Sequence, residues 1–474
     1  MIDQKRENLL NLALAATEVE RRRVPELSAG YNSYSKTWEV IVQYQGDLAF
    51  LEEQGVRVTL LLFSYAILLV PESLMDYVTG LPQITYLEKP KLLYFADAFV
   101  RSISCITPVQ EGVMGLSGNG VLLACIDSGV DYAHPDFCAP DGTSRIAILW
   151  DQTIPGNPPM GYALGSVYTR RQINEALASS TPEERFALVP SRDVTGHGTA
   201  VLGIAAGNGR SSAYAAMRGV APEATLVVVK LGNPDPADLP RTSQLLQAVD
   251  FCVRYALLVE RPLVINLSFG NNYGSHSGDS LLETYLNAVS NLGQNVICIG
   301  AGNEGDTGRH YAGNLKSDRK SSGQTQTVRA TSDPAATSAV SATADRAVSV
   351  EFQVGAYESS FSLQIWKVYG DEISIELISP GGIRSGKQAG TEQACGKRSG
   401  TLSPVLGTAR LTLGPTELLL FYGMPSPYSQ AQEIYLTFQG TGNHLSVENG
   451  IWTLRLTPGR LISGSFDLWL PGGN

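Results

Sequence analysis

No apolar run in this chain is long enough to cross a bilayer as a helix. The longest, Val58 to Val70, holds 13 residues and is interrupted by Thr59, Ser64 and Tyr65, against the ~20 a span requires. Cysteine is sparse. The six residues (105, 125, 138, 252, 298 and 395) include no Cys-x-x-Cys pair, which argues against a disulfide framework. Cys125 and Cys298 lie inside apolar runs, where a thiol behaves as a small hydrophobe, so reduced and buried cysteines are expected. Basic charge is in deficit, 35 Lys and Arg against 45 Asp and Glu, for a net charge of −10. A nucleic-acid binder needs a basic face, so neither nucleic acid nor an anionic membrane surface is an expected partner. The N-terminal segment sets Lys5 and Arg6 before Leu9–Ala16, but Asn11 breaks that run and acidic residues flank it. It reads as a charged surface helix rather than a secretory leader, with synthesis in the cytoplasm.

What is present is enough apolar residue, 43% of 474, to build two or three domains. The expected divisions are 1–97, 98–314 and 315–474. Residues 1–23 read as helical. In 35–95, strands at Trp38–Tyr44, Val56–Leu62, Tyr65–Val70 and Ile84–Glu88 enclose helices at Asp47–Gln54 and Glu72–Thr79. That is a β-α-β-β-α-β, ferredoxin-like unit. The tail after Pro90, KLLYFADAF, shows no clear element.

From 115 to 305, strands at Val121–Ile126, Thr225–Lys230, Leu263–Leu267 and Val296–Gly300 alternate with helices at Gly198–Ala206, Thr242–Val259 and Ser280–Leu292. Alternation of this kind predicts an α/β fold with a mainly parallel sheet, whose sites lie at the carboxyl ends of its strands. Residues 306–345 are polar and read as a connection. Eight short strands without helices follow, at 347–357, 360–367, 372–379, 408–414, 417–422, 433–439, 450–457 and 464–470, and point to an all-β sandwich of jelly-roll type.

Three segments carry chemistry. Asp127 ends the apolar run VLLACID. His197 stands in Gly-His-Gly-Thr at the mouth of an apolar helix. Asn303 follows VICIGAG. An Asp at a strand end is ordinarily a turn or cap, a lone His is more often structural, and Gly-Asn is a common turn pair. In this order, with these neighbours, they fit the parts of a serine hydrolase: a base, a carboxylate that orients it, and an oxyanion donor. The separations, 70 residues from Asp127 to His197 and 106 more to Asn303, mean that only the fold can assemble them.

Ile126-Asp127-Ser128-Gly129-Val130, His134-Pro135-Asp136-Phe137, Gly196-His197-Gly198-Thr199 and Ala301-Gly302-Asn303 resemble the subtilisin-like serine proteases. The resemblance implies that Asp127 and His197 are the triad acid and base and that Asn303 supplies the oxyanion side chain. It further implies that Ser268, Phe269 and Gly270, with Gly302, bind an extended protein or peptide substrate. Residues 35–95 resemble the family's prodomain, with the tail around Leu92–Phe99 retained in the cleft. Three features are similar to the Csp-type subtilases of clostridial spores: His-Gly-Thr-Ala at 197–200, the wording DSGVDYAHPDF, and a sandwich beginning after the Asn motif. That likeness implies spore association and cleavage of a cortex-lytic enzyme precursor during germination. No cofactor is expected. Many subtilases bind calcium, but Asp131, Asp136 and Asp141 lack the spacing of an oxygen-ligand loop and read as a solvated loop.

The family's nucleophile should stand in Gly-Thr-Ser, which occurs nowhere in the 474 residues. Ala336-Thr337-Ser338-Ala339 lacks the preceding Gly, and Gly400-Thr401-Leu402-Ser403 has Leu in the serine's place. A contiguous missing block favours an endopeptidase whose sequence is cut short. The alternative is a non-catalytic pseudoprotease that works by binding in spores. Prodomain cleavage is expected between about Phe95 and Cys105.

Overall fold

The computed structural model describes residues 3–92, 94–95, 106–111, 115–211, 218–235, 239–305, 307–316, 328–329, 347–385, 407–442 and 444–470. Two N-terminal helices, α1 (Asn8–Ala15) and α2 (Glu18–Arg23), are separated at Thr17 by a capping box with Glu20. The unit that follows runs β1 (Thr37–Tyr44), α3 (Phe50–Glu53), β2 (Arg57–Leu60), β3 (Tyr65–Pro71), α4 (Met75–Gly80) and β4 (Ile84–Glu88). Its antiparallel order is β4-β1-β3-β2, the pairing expected of a ferredoxin-like unit. The period-2 alternation of β1 explains how this sheet is used on both faces. Trp38, Val40 and Val42 turn toward α1, α3 and α4, whereas Ile41, with Tyr65, Ile67 and Tyr86, packs on the central body.

The central sheet contains β6 (Leu122–Asp127), β7 (Ile146–Asp151), β8 (Ser166–Thr169), β9 (Thr225–Lys230), β10 (Leu263–Leu267) and β12 (Asn295–Ile299). The order is β12-β10-β6-β9-β7-β8, parallel except for β8. Helices α5 (His197–Ala206), α6 (Thr242–Leu258) and α7 (Leu281–Ser290) flank it, and a two-residue strand, β11 (Phe269–Gly270), lies beyond β10. Strands β7 and β8 were not among the expected elements. IAILWD is a short continuous apolar run, which periodicity alone cannot separate from a buried helix segment. Helix α6 is buried over most of its length because it lies between the sheet and the N-terminal unit.

The C-terminal part is a two-sheet β-sandwich. One sheet runs β13 (His310–Asn314), β22 (Ser465–Trp469), β16 (Ser360–Val368), β20 (Ala431–Gly440), β19 (Thr416–Tyr422) and β18 (Gly407–Leu413). The other runs β14 (Val328–Arg329), β15 (Val348–Val354), β21 (Gly450–Pro458) and β17 (Ile373–Ile378). One core, including Val350, Leu363, Leu420, Phe438 and Trp452, joins the two sheets. Strand β13 falls in the stretch read as a polar connection. Its weak apolar pattern has only Tyr311 buried, and its pairing with β22 defines it.

Three expectations are corrected. Helix α1 is not on the surface: Leu9, Leu10, Leu12 and Ala13 are buried between the β1 sheet and Leu419, Phe421 and Tyr435 of the sandwich. Cys298 is exposed on β12, because that edge strand is paired only on one side, with β10, among the described residues, whereas Cys125, Cys138 and Cys252 are buried. Asp136, read as part of a solvated loop, is buried and accepts from Ser211 N at 2.7 Å. Cys105, Cys395 and both serine decoys lie outside the described residues.

The three parts meet around a cavity of about 280 Å³, lined by Glu7, Glu88 and Lys91 of the N-terminal unit, His276 of the central body, and Trp366 and Glu433 of the sandwich. Lys91 Nζ pairs with Glu7 at 2.7 Å and with Glu88. Glu433 is buried beside them, hydrogen-bonded to Gln364. Burial, then the nearby Glu7, pushes its carboxyl up to about 7. Among the described residues no helix is long and apolar enough to cross a membrane.

Candidate active site

Strand β6 is buried along its whole length, as a central parallel strand should be. Its last residue, Asp127, is 1% exposed. His197 begins α5, and its Nδ1 lies 2.6 Å from Asp127 Oδ1. An ionised carboxylate only accepts, so Nδ1–H donates and Nε2 is left as the acceptor, the tautomer a general base needs. Ser128 N donates to the same oxygen at 2.7 Å. Asp127 Oδ2 has no hydrogen-bond partner among the described residues. Burial pushes this carboxyl above its ordinary range, against the opposing hydrogen bonds from His197 and Ser128.

The approach of α5 to β6 depends on glycine at two positions. Gly196 takes φ 78°, left-handed backbone that other residues resist. At Gly198 a Cβ would meet Gly129 O at 2.3 Å and Asp127 Oδ1 at 3.1 Å. The Gly-His-Gly pattern is therefore what lets the imidazole reach the carboxylate.

Beside this pair runs a cleft already filled by the chain's own tail. Tyr94–Phe95 forms the short strand β5, which pairs antiparallel with β11 in the register Phe269↔Phe95 and Gly270↔Tyr94. On the other side Leu92 bridges to Arg241, and Thr242 N donates to Lys91 O at 2.8 Å. Asn271 Nδ2 donates to Leu92 O at 3.1 Å. The tail thus has backbone partners on both sides, the geometry of strand addition. It had no legible element in the sequence because its partners lie more than a hundred residues away. Residues 93 and 96–99 of the expected cleft segment lie outside the described residues.

Ser268 links β10 to β11, and its Oγ accepts from Asn266 Nδ2 at 2.8 Å. Gly300 N donates to Leu267 O at 2.9 Å. Asn303 therefore leaves β12 at the same carboxyl edge as Asp127 and Ser268, with Gly302 at φ 90° and Asn303 itself exposed. Contact is formed between Asp127 and His197; Asn303 shares their edge. Among the described residues no group of three or more His, Cys, Asp or Glu could hold a metal ion.

Two anchoring carboxylates went unread in the sequence. Glu88 Oε2 accepts from Leu281 N at the start of α7 (2.8 Å), and Asp250 Oδ1 accepts from Leu62 N (2.9 Å). Both hold the N-terminal unit on the body, and neither sits in a local pattern that marks it. A third, Asp193, lies four residues before His197, close enough in sequence to have been found.

A parallel α/β sheet with an Asp–His pair and a strand-addition cleft at its carboxyl edge defines a subtilisin-like class. Comparison with known proteins agrees. Residues 118–405 match the subtilase family, and residues 4–91 match the Csp protease B prodomain. The chain belongs to the subtilase family and carries a Csp-type prodomain. It is 26% identical to Subtilisin E of Bacillus subtilis over 228 residues, 48% of this chain and 46% of that protein. The Major intracellular serine protease of the same organism is 28% identical over 205 residues, 43% and 49% of the two chains. Among solved structures, the Clostridium perfringens CspB protease superposes with a TM-score of 0.63 at 26% identity, covering 79% of this chain and 66% of that one. The chain spans about half the length of the Bacillus relatives it matches.

Proposed function

We propose that the protein is a serine endopeptidase with an Asp-His-Ser triad, in which Asp127 is the acid and His197 the base. The carrying observation is the 2.6 Å Asp127–His197 contact beside a substrate strand occupied by the prodomain tail. The substrate peptide pairs with Ser268–Gly270 as the tail now does, with Gly302 opposite. His197 Nε2 takes the serine proton, Asp127 stabilises the imidazolium, and Asn303 donates to the oxyanion. The serine comes from a segment beyond these 474 residues that packs on β12. The exposure of Val296 (55%) and Ile299 (61%) on that edge supports this, because apolar edge strands are normally covered. Likeness to the Csp type supports a spore-associated role, activating a cortex-lytic enzyme precursor, with the prodomain kept in place after cleavage. The chemistry needs no cofactor.

The test is expression of the complete reading frame, N-terminal sequencing of the product, and labelling with a fluorophosphonate. Cleavage between about Phe95 and Cys105, abolished in H197A, is expected. A stop codon directly after Asn474, with a folded product that neither cleaves nor labels, would overturn the reading in favour of a non-catalytic binding protein.

A further inference from the structure

Helix α5 begins at a glycine, so the N-cap residue offers no side chain to its first turn. Unsatisfied first-turn N–H groups are costly and leave a helix start frayed. Here the groups are satisfied from outside the helix. Asp193 Oδ1 accepts from Gly196 N at 3.0 Å, and Oδ2 accepts from Thr199 N at 2.8 Å and Thr199 Oγ1 at 2.7 Å. Gly198 N donates to Ser128 Oγ at 2.9 Å, and Ser128 Oγ in turn donates to Asp193 Oδ1 at 2.8 Å. Thr195 Oγ1 closes the ring, 2.9 Å from Ser128 Oγ and 3.2 Å from Asp193 Oδ1, and accepts from His197 N at 3.2 Å.

Ser128 is the residue after Asp127, and Gly198 is the residue after His197. The Asp193–Ser128 pair therefore ties the end of β6 to the start of α5, the two elements whose side chains make the 2.6 Å contact. We propose that Asp193 is a positioning residue: through Ser128 and the first turn of α5 it sets the His197 imidazole on Asp127 for proton transfer. Among the described residues its hydrogen bonds go to Ser128, Thr195, Gly196 and Thr199, not to the substrate strand or the imidazole. Burial alone would raise its carboxyl, but the hydrogen bonds from Thr199, Ser128 and Gly196 outweigh burial and hold it below its ordinary value. It thus stays a charged acceptor, and charge-assisted hydrogen bonds are the stronger kind. This inference rests on the reading of His197 as the base.

The test does not need the serine. A short Asp–His hydrogen bond gives a proton resonance far downfield of the amide envelope. It is to be sought in this chain and assigned by its loss in D127N. D193N is expected to keep the fold, with a cooperative melt, and to lose or strongly broaden the resonance. S128A, which removes only the bridging hydroxyl, is expected to weaken it less, and stands in if D193N does not fold. In the complete protein, D193N should lower kcat about 10–100-fold with KM little changed, the size expected of a small misplacement. It should add nothing in the D127N background, because both act through one contact. An undiminished resonance in D193N overturns the inference alone. Its absence from the parent chain overturns the Asp127–His197 reading and this inference together.

Discussion

Strands β6 and β12 belong to one parallel sheet, and each leads into a residue proposed for the site, yet they are built differently. Every residue of β6 is buried, and its terminal Asp127 is fixed by His197 and Ser128 N. Strand β12 is an edge. Val296, Cys298 and Ile299 are exposed, and Asn303 beyond it is exposed too. The acid–base half of the proposed machinery is thus complete within this chain. The oxyanion half stands on a strand with one side uncovered. A site of this kind is only as ordered as the strand that carries it.

The largest test of that comparison is chemical. In the complete protein, H197A should cut kcat/KM by about 10⁴-fold or more, read as peptide hydrolysis. A loss below tenfold would remove His197 as the base. Next comes packing on the buried side: Ile126→Ala should cost about 2–5 kcal/mol by denaturant unfolding, because Ile126 is fully buried in the central core. Gly198→Ala should cost about 1–3 kcal/mol through the Cβ's collision with Gly129 O, and should weaken the Asp127–His197 contact with it.

A pH effect of intermediate size belongs to the junction. The Glu433 carboxyl sits at about 7 in the folded protein against an ordinary 4.5. The folded state then holds the proton more tightly than the unfolded chain, and stability falls as pH rises from about 4.5 through 7. E433Q should flatten that slope, raising the melting temperature by a few degrees at pH 8 and not at pH 5. Equal shifts at both pH values would refute it. Smallest is the exposed edge: Val296→Ala should change the stability of this chain by less than about 0.5 kcal/mol. The same substitution should cost more once β12 is covered, which calorimetry on the 474-residue chain and a longer one would compare.

Much of the architecture was legible in residues. The strands ending at Asp127, Lys230 and Leu267 and the eight sandwich strands after 345 stand where their apolar patterns put them. So do the glycines around His197, since tight turns and close approaches name their residue. Strands β7 and β8, the burial of α1 and the strand at Tyr94–Phe95 were not legible. Strand β7 is a short apolar run that periodicity cannot assign, and β8 is defined by its pairing with β7; the burial of α1 and the tail strand depend on partners distant in the chain. Helix α1 has leucines enough for one apolar face and buries them against two bodies. The tail shows no alternation, and among its described residues only Leu92, Tyr94 and Phe95 pair with another strand or bridge partner.

The chain by itself determined the family's Asp and His segments, their glycine-bearing turns, the prodomain and the order of sheet and sandwich, because these follow from local pattern and from residues that backbone geometry demands. Only the tertiary structure decided three things. It brought Asp127 and His197, 70 residues apart, to hydrogen-bonding distance. It laid the tail on Phe269–Gly270, and it left Val296 and Ile299 in solvent at the sheet's edge. The reason is common to all three. Each is a relation between surfaces far apart in sequence, settled by which faces the completed fold covers and which it leaves bare.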